Sequence, residues 1–375
     1  VKKQVILTSL VLASLSLYEC KTVQKVFNPS AGGSASVTAS IETENLFSCC
    51  DPRLKMPDGK PVWCEASAVL YEDGFVFVAN DKDMPGKLSP VFRKRWNEFT
   101  NDKVQPAPLL AKAFLAGKKY EDFASNGEYV FLTTAFDRVK PGSTEWDAYN
   151  TLLYWKRGDE GNPQVLAPDA SDKTSVAYRE KFSQVLSQNR PAFPNGMPYF
   201  KVEGLAVMDT LLLFGIREEG EKFDKFDYRV RIVAVPFAIQ KSGKGERIVL
   251  KDNWRVVTDF DPNAVAGLPK AIALSSLEYD RRRNIFWMLT STENEGQLDA
   301  YLWTATPDAV MNNRPFTLVR DSKGQPLHFG HKAEDLTFLD RHHLLVIHDD
   351  DRVLSKVGEK TRQSNQAAYT VVKIK

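Results

Sequence analysis

The chain carries no GxSxG elbow, no Walker loop, no GxGxxG fingerprint and no HExxH. Serine-hydrolase, P-loop, Rossmann and zincin readings therefore lack the residues their chemistry needs. Cysteine is scarce, four in 375 residues, and no CxxC or Cys/His spacing suggests structural zinc. Histidine is scarcer in distribution than in number: all five lie between His328 and His348. A net charge of +2 gives no general reason to expect nucleic acid or an acidic membrane as partner. There are no heptads and no long low-complexity tract. The aromatic residues are spread through apolar segments, as core residues are, and form no stacking platform.

The one long uncharged run is at the start. Lys2 and Lys3 precede Val5 to Tyr18, a run too short to span a bilayer comfortably. Residues 1–20 read as a signal peptide or a lipoprotein signal, with Cys20 where a bacterial lipoprotein is cleaved and acylated. Leu17-Tyr18-Glu19 depart from the small residues expected before that cysteine, so ordinary cleavage downstream is the alternative. Residues 21–35 read as a tether, and residues 36–375 as the folded domain. The expectation is an exported protein of the bacterial periplasm or cell surface, with any membrane contact through a lipid at Cys20. Export permits disulfides. Either Cys49 or Cys50 could bridge to Cys64, or all three stay reduced and buried.

What the chain does have is a repeat. Five stretches open on a Ser or Glu, run as an apolar strand, turn tightly, and return as a second strand that ends in charge. The openers are Ser67 in SAVLYEDGFVFVAND, Glu121 in EDFASNGEYVFLTTAFD, Glu203 in EGLAVMDTLLLFGIR, Ser275 in SSLEYDRRRNIFWMLTS and Glu334 in EDLTFLDRHHLLVIHDD. A third β-rich segment follows most hairpins: residues 150–156, 228–236, 300–306 and 368–375. A fourth follows at 164–167, 246–251 and 316–320. A repeated four-strand unit is the signature of an all-β propeller. The second and third units are the longest and carry insertions. One of these, Ser175–Asn189, places Tyr178, Phe182, Val185 and Asn189 at helical spacing and predicts a short helix. The last unit lacks a fourth strand, and the alternating SVTASIE at Ser36–Glu42 can supply it. Five blades closed by an N-terminal strand is the first expectation. Six follow if residues 140–200 hide a degenerate blade. A β-sandwich explains the alternation but not five matching openers.

In a propeller the first strand of each blade lies against the axis, so the five openers converge. Three carboxylates and two hydroxyls at one point repel one another unless a cation is present. Oxygen ligands suit calcium, which makes Ser67, Glu121, Glu203, Ser275 and Glu334 the expected metal ligands. The alternative is that these groups bond the strand ends of neighbouring blades. The second strands end on the same edge, which brings Asp81-Lys82, Asp137-Arg138, Arg217, Glu293 and Asp349-Asp350-Asp351 to that face. Asp81, Asp137, Arg217 and Asp350 are the candidate catalytic groups, with solvated loop charge as the alternative for each. His328, His331 and His348 lie near Glu334 and could form a transition-metal site.

The series Ser, Glu, Glu, Ser, Glu, one per blade, resembles the soluble calcium-activated nucleotidases (apyrases). SAVLYEDGFVFVAND, FKVEGLAV and SSLEYD leading to STENEG are similar to strings of that family. The resemblance covers most of residues 60–340 as a pattern. EGLA-type openers also resemble the phytase-like, esterase-like propellers. The resemblance implies five blades, an axial calcium ion, and hydrolysis of a phosphoanhydride or phosphoester in a phosphorylated small molecule. Asp81-Lys82 matches the family's Asp-Asp-Arg stretch only loosely, and its acidic stretch before the first blade has no counterpart beyond IETEN at residues 41–45. As a whole the chain is similar to a bacterial exported relative of this superfamily. A non-catalytic surface propeller with a structural calcium is the alternative.

Overall fold

Strand segments that alternate or are apolar throughout pair here as five antiparallel sheets around one axis. The computed structural model describes residues 37–86, 88–242, 245–292 and 298–375. The chain divides into two units, Val1–Gly33 and Ser34–Lys375. The expected targeting segment with Cys20, the expected tether and Glu293 lie outside the described residues.

Each blade begins with an innermost strand: Ala66–Glu72, Tyr120–Ser125, Tyr199–Met208, Ile272–Asp280 and Ala333–Phe338. The second strands are Phe75–Asn80, Tyr129–Thr134, Leu211–Lys222, Ile285–Thr292 and His343–His348. The third are Val91–Arg95, Leu152–Lys156, Lys225–Ser242, Ala300–Ala305 and Gln366–Ile374. This is a five-bladed propeller, and the sandwich and six-bladed alternatives are excluded by the sheet order. Residues 140–200 hold the outer strands of the second blade and a helix. The tight hairpins follow turn chemistry: Asp73 and Gly74 both have positive φ, as a two-residue turn between right-twisted strands requires.

Closure comes from the N-terminal strand, which runs from Ala39 to Ser48, further than the predicted Ser36–Glu42. It pairs antiparallel with Gln366–Ile374, from Ala39 opposite Ile374 to Ser48 opposite Gln366. First and last strands thereby share a blade, and no outer edge is left where the ring would open. Phe47 on this strand stacks on Phe99, with ring centroids 4.5 Å apart.

Five apolar clusters fill the five clefts between neighbouring blades. Close approach there demands glycine. Gly204 and Gly215 face each other across the third blade's first pair, and a Cβ on Gly215 would lie 2.7 Å from Leu274 Cδ2 of the fourth blade.

The insertion forms a helix over Arg179–Ser187, after a short 3-10 turn. Tyr178, Phe182 and Val185 are buried as predicted, joined by Leu186. Asn189 is exposed with φ +60°, beyond the helix end, in the left-handed conformation asparagine tolerates better than most residues.

Cys49 bonds to Cys64 across a separation of 15 residues, and Cys50 stays a free, buried thiol. Closing a loop of that size restricts the unfolded chain. Cys64→Ser should therefore lower stability by about 3 kcal/mol in urea unfolding, and reduction of the wild type should produce a similar loss. No helix among the described residues is long and apolar enough to cross a membrane.

Candidate functional site

Each opener sits at a β-bulge. Pairing with the second strand skips from Ala66 to Ala68, Tyr120 to Asp122, Val202 to Gly204, Leu274 to Ser276 and Ala333 to Asp335. The omitted residues are Ser67, Glu121, Glu203, Ser275 and Glu334. A bulge adds one residue and re-aims side chains, and here it does so once in every blade. All five are buried.

The two serines are used by the protein itself. Ser67 Oγ donates to Tyr120 O in the next blade and lies 3.3 Å from Ala79 O. Ser275 Oγ lies 2.8 Å from Ser291 Oγ and accepts from Arg217 Nη1 at 3.1 Å. These contacts join strand ends, the alternative weighed for the ring.

The three glutamates face cations, the expected Arg217 and three lysines besides. Lys201 pairs with Glu203 and lies 3.7 Å from Glu121. Lys119 is 3.9 Å from Glu121 and 2.8 Å from Asp137. Arg217 is 3.2 Å from Glu203, and Lys332 is 3.3 Å from Glu334. The signal was present as a spacing: Lys119-Tyr120-Glu121, Lys201-Val202-Glu203 and Lys332-Ala333-Glu334. Lys201 lies within its strand, where a residue two places earlier shares the face, and Lys119 and Lys332 stand one residue before theirs. In the first blade the sign is reversed, and Glu65 before Ser67 takes Lys82 at 3.0 Å and Arg352 at 3.1 Å.

Three of the four candidate catalytic residues join this mouth. Burial opposes ionisation of Asp81, yet Lys119, Lys82 and Lys201 hold its carboxyl below the usual range. Burial also opposes ionisation of Asp137, but Arg138 and Lys119 keep it well below that range. Arg217 lies beneath the ring, bonded to Leu274 O and Ser275. Asp350 does not join them. Its carboxylate accepts from Ser355, meets His331 Nδ1 at 2.7 Å and accepts from Lys332 N at 2.9 Å. The neighbour that faces the ring is Asp349, pushed well above its usual range by burial and by Glu334. Sequence alone could not choose between adjacent residues at a strand end, where a one-residue step reverses the face. Glu334 itself is raised to about 7, chiefly by burial, and burial also raises Glu121 well above its usual range.

Of the three histidines expected to cluster, His331 and His348 come together, with ring centroids 5.3 Å apart and Asp350 on His331 Nδ1, while His328 pairs with Asp299 and stands apart. Buried His348 also lies 2.8 Å from Thr370 Oγ1, and His343 pairs with Asp340 and Glu42. Among the described residues no group of three or more His, Cys, Asp or Glu is spaced to hold a metal ion. The calcium argument rested on carboxylates without compensating charge. Lys119, Lys201, Arg217 and Lys332 lie beside those carboxylates here, so charge balance at the openers no longer calls by itself for a cation.

One layer deeper, the residue after the opener is Asp122 in the second blade and Asp335 in the fifth. Asp335 accepts from Val69 N, Ser276 Oγ and Leu336 N, each at 2.6 Å. Asp122 accepts from Leu205 N at 2.7 Å and Leu277 N at 3.3 Å. Between them they bond all five innermost strands, whose inward edges have no strand to pair with. The two carboxyls stand close enough to share a proton, and burial raises Asp335 to about 7 and holds Asp122 well above its usual range.

Beside the mouth lies a cleft of about 500 Å³. Met56, Val62 and Trp63 give it an apolar wall, and Glu65, Lys82 and Arg352 connect it to the ring. The disulfide-closed loop between Cys49 and Cys64 builds that wall.

No known family profile matches the chain, and no curated protein matches it. The resemblance to calcium-activated nucleotidases therefore rests on the quoted strings alone. Several solved structures align at low similarity. A DUF4623 family protein from Bacteroides eggerthii shares 11% identity, with 90% of this chain and 77% of that one covered, at a TM-score of 0.39. The PQQ-bound aldose sugar dehydrogenase from Streptomyces coelicolor shares 10%, with 90% and 100% covered, at 0.37. Myxococcus xanthus glutaminyl cyclase shares 10%, with 90% and 97% covered, at 0.35. Likeness this distant carries no argument about chemistry, and the fold stands on the sheets described above.

Proposed function

We propose that this is an exported propeller that binds a small anionic molecule, a phosphorylated one first, at the mouth ringed by the openers. The observation that carries the reading is the convergence of Lys82, Lys119, Lys201, Arg217 and Lys332, from four blades, beside a cleft large enough for a small molecule. Three acids interleaved with them, Glu121, Glu334 and Asp349, are raised toward protonation. An anion that displaces these carboxylates from their lysines is accompanied by proton uptake, so affinity should rise as pH falls through about 7. Export is supported by the charged and apolar pattern of the first 20 residues and by the Cys49–Cys64 bond, which oxidising compartments favour.

The finer reading is calcium-dependent hydrolysis of a phosphoanhydride or phosphoester. A water oxygen would attack phosphorus, the bridging P–O bond would break, and the water's proton would pass to a carboxylate. Asp81 and Asp137 are too acidic and too firmly paired for that role. Glu334 and Asp349 have the raised basicity it needs. The lysines would stabilise the charge on the phosphoryl oxygens.

The test has two parts. Pyrophosphate binding is measured by calorimetry at pH 6 and pH 8. Phosphate release is then measured from nucleoside diphosphates, nucleoside triphosphates and phytate, with calcium and with chelator. Tighter binding at pH 6 supports the site. Calcium-dependent release establishes the hydrolase reading, and binding without release leaves a ligand-binding propeller. Neither binding nor release, in folded protein, overturns the proposal.

A further inference from the structure

The mouth face differs from the opposite face in what it leaves uncovered. Nine large apolar side chains are exposed among the described residues. Leu88, Val139, Trp146, Phe223, Val353 and Leu354 sit in loops that join a second strand to a third, and those loops lie at the mouth, where second strands end. Two more stand in the link from the first blade to the second, also at the mouth, and the ninth, Ile41, is on the closing strand. Among the described residues no hairpin turn at the opposite end carries one. Single exposed apolar residues are ordinary, but their gathering round one opening marks a binding face.

The cleft beside Lys82 has the same character. Pro57, Pro61, Val62 and Trp63 wall it together with Met56. The Arg362 guanidinium lies over the Trp63 ring, 5.9 Å from its centroid. The side chains of Pro57, Pro61 and Val62 hold no donor or acceptor, so this wall has nothing to fix the hydroxyls of a sugar. The acids of the cleft are engaged. Asp58 pairs with Lys60 at 2.8 Å, and Asp83 with Lys118 at 2.8 Å. Glu65 is shared between Lys82 at 3.0 Å and Arg352 Nε at 3.1 Å, and Lys82 also bonds Asp81. Among the described residues no other acid pairs with Arg352, so its two Nη amines present an open fork of the shape that phosphate oxygens match. Val353 and Leu354, which follow Arg352, add apolar surface at the same rim.

We propose that the ligand of the mouth is a phosphate monoester of an apolar alcohol, with its phosphate at Lys82 and the Arg352 fork and its carbon chain along Met56, Val62 and Trp63. The inference rests on the anion reading of the mouth and names the substrate class within it. Cations at one end of a cleft and an apolar wall along the other match a molecule with the same division. Such an ester is met either dispersed in water or as a headgroup in a bilayer, and the chemistry that recognises it is the same.

The experiment uses the full chain at pH 6 and measures binding of methyl phosphate, n-hexyl phosphate and 1-hexanol by calorimetry. Each methylene removed from water favours binding about fourfold. Hexyl phosphate should therefore bind at least about tenfold more tightly than methyl phosphate, and more tightly than hexanol. Trp63→Ala and Met56→Ser should each shrink the hexyl-to-methyl ratio by about threefold or more. Met56 is half-buried on a loop, so Met56→Ser should fold, and thermal melts verify both variants. Sedimentation with phosphatidylcholine vesicles, with and without phosphatidic acid, separates the two sources. Retention on phosphatidic acid together with hexyl phosphate binding assigns a bilayer headgroup, and hexyl phosphate binding alone assigns a dispersed ester. Pyrophosphate that binds while hexyl phosphate binds no better than methyl phosphate would overturn this inference and leave the anion site standing. Binding of none of the phosphates would overturn both. Hexanol that binds as tightly as hexyl phosphate, or a ratio unchanged in the two variants, would also overturn the inference.

Discussion

Asp335→Ala should lower stability by about 4 kcal/mol, and Asp335→Asn by about half of that. The carboxyl accepts three hydrogen bonds, and two of them come from other blades, Val69 N of the first and Ser276 Oγ of the fourth. Alanine leaves both donors buried without an acceptor, at about 1–3 kcal/mol each. Asparagine keeps an acceptor for Ser276 Oγ and Leu336 N at Oδ1 but sets its NH2 where Val69 N needs an acceptor, so one of the two inter-blade bonds survives. The pH dependence gives a second readout. Burial raises Asp335 from 3.8 to about 7, so between those values the folded protein holds a proton that the unfolded chain has released. Unfolding then releases protons, and stability falls as pH rises from about 4 to about 7. Glu334 contributes with the same sign. Asp335→Asn should flatten this slope. Urea midpoints at pH 4.5, 6 and 7.5 measure it, and an unaltered slope in the asparagine variant would show that the axial proton is elsewhere.

That axial pair also marks the limit of what could be read from the residues alone. Blade number, closure by the N-terminal strand and the convergence of Ser67, Glu121, Glu203, Ser275 and Glu334 all follow from a repeat whose side-chain period is fixed by strand geometry. The repeat could not say what neutralises the openers, because that depends on a bulge. In a regular strand Asp122 and Asp335 would face away from the side of Glu121 and Glu334. The extra residue lets both members of each Glu-Asp pair serve the channel at successive depths. The lysines two places earlier were legible as a spacing, but their weight appears only once the blades bring Lys201 between Glu121 and Glu203. Asp350 and Asp349 differ by one step along the chain, and loop conformation after His348 decides which faces the ring.

Lys201→Met should be the most damaging change at the opener ring and should alter the response to calcium. Lys201 pairs with Glu203 and lies 3.7 Å from Glu121, and those carboxylates are almost fully buried. Removing one partner of a buried ionic cluster costs about 3–5 kcal/mol, because the remaining charge has neither water nor counter-ion. Part of that loss will be relieved by further proton uptake at Glu121, so it should be larger at pH 8 than at pH 6. Methionine keeps the stem's packing and isolates the charge effect. Pyrophosphate affinity should fall in the same variant. If lysine is what neutralises the ring, calcium should raise the melting temperature of Lys201→Met more than that of the wild type, since the variant leaves two carboxylates for the ion to hold. Glu203→Ala should lower the melting temperature and narrow the difference between calcium and chelator in either background. A wild type that gains more from calcium than Lys201→Met does would reverse the assignment. The lysine would then be a member of an ion-binding ring, orienting Glu121 and Glu203 toward a metal, and the axial calcium implied by the opener series would hold.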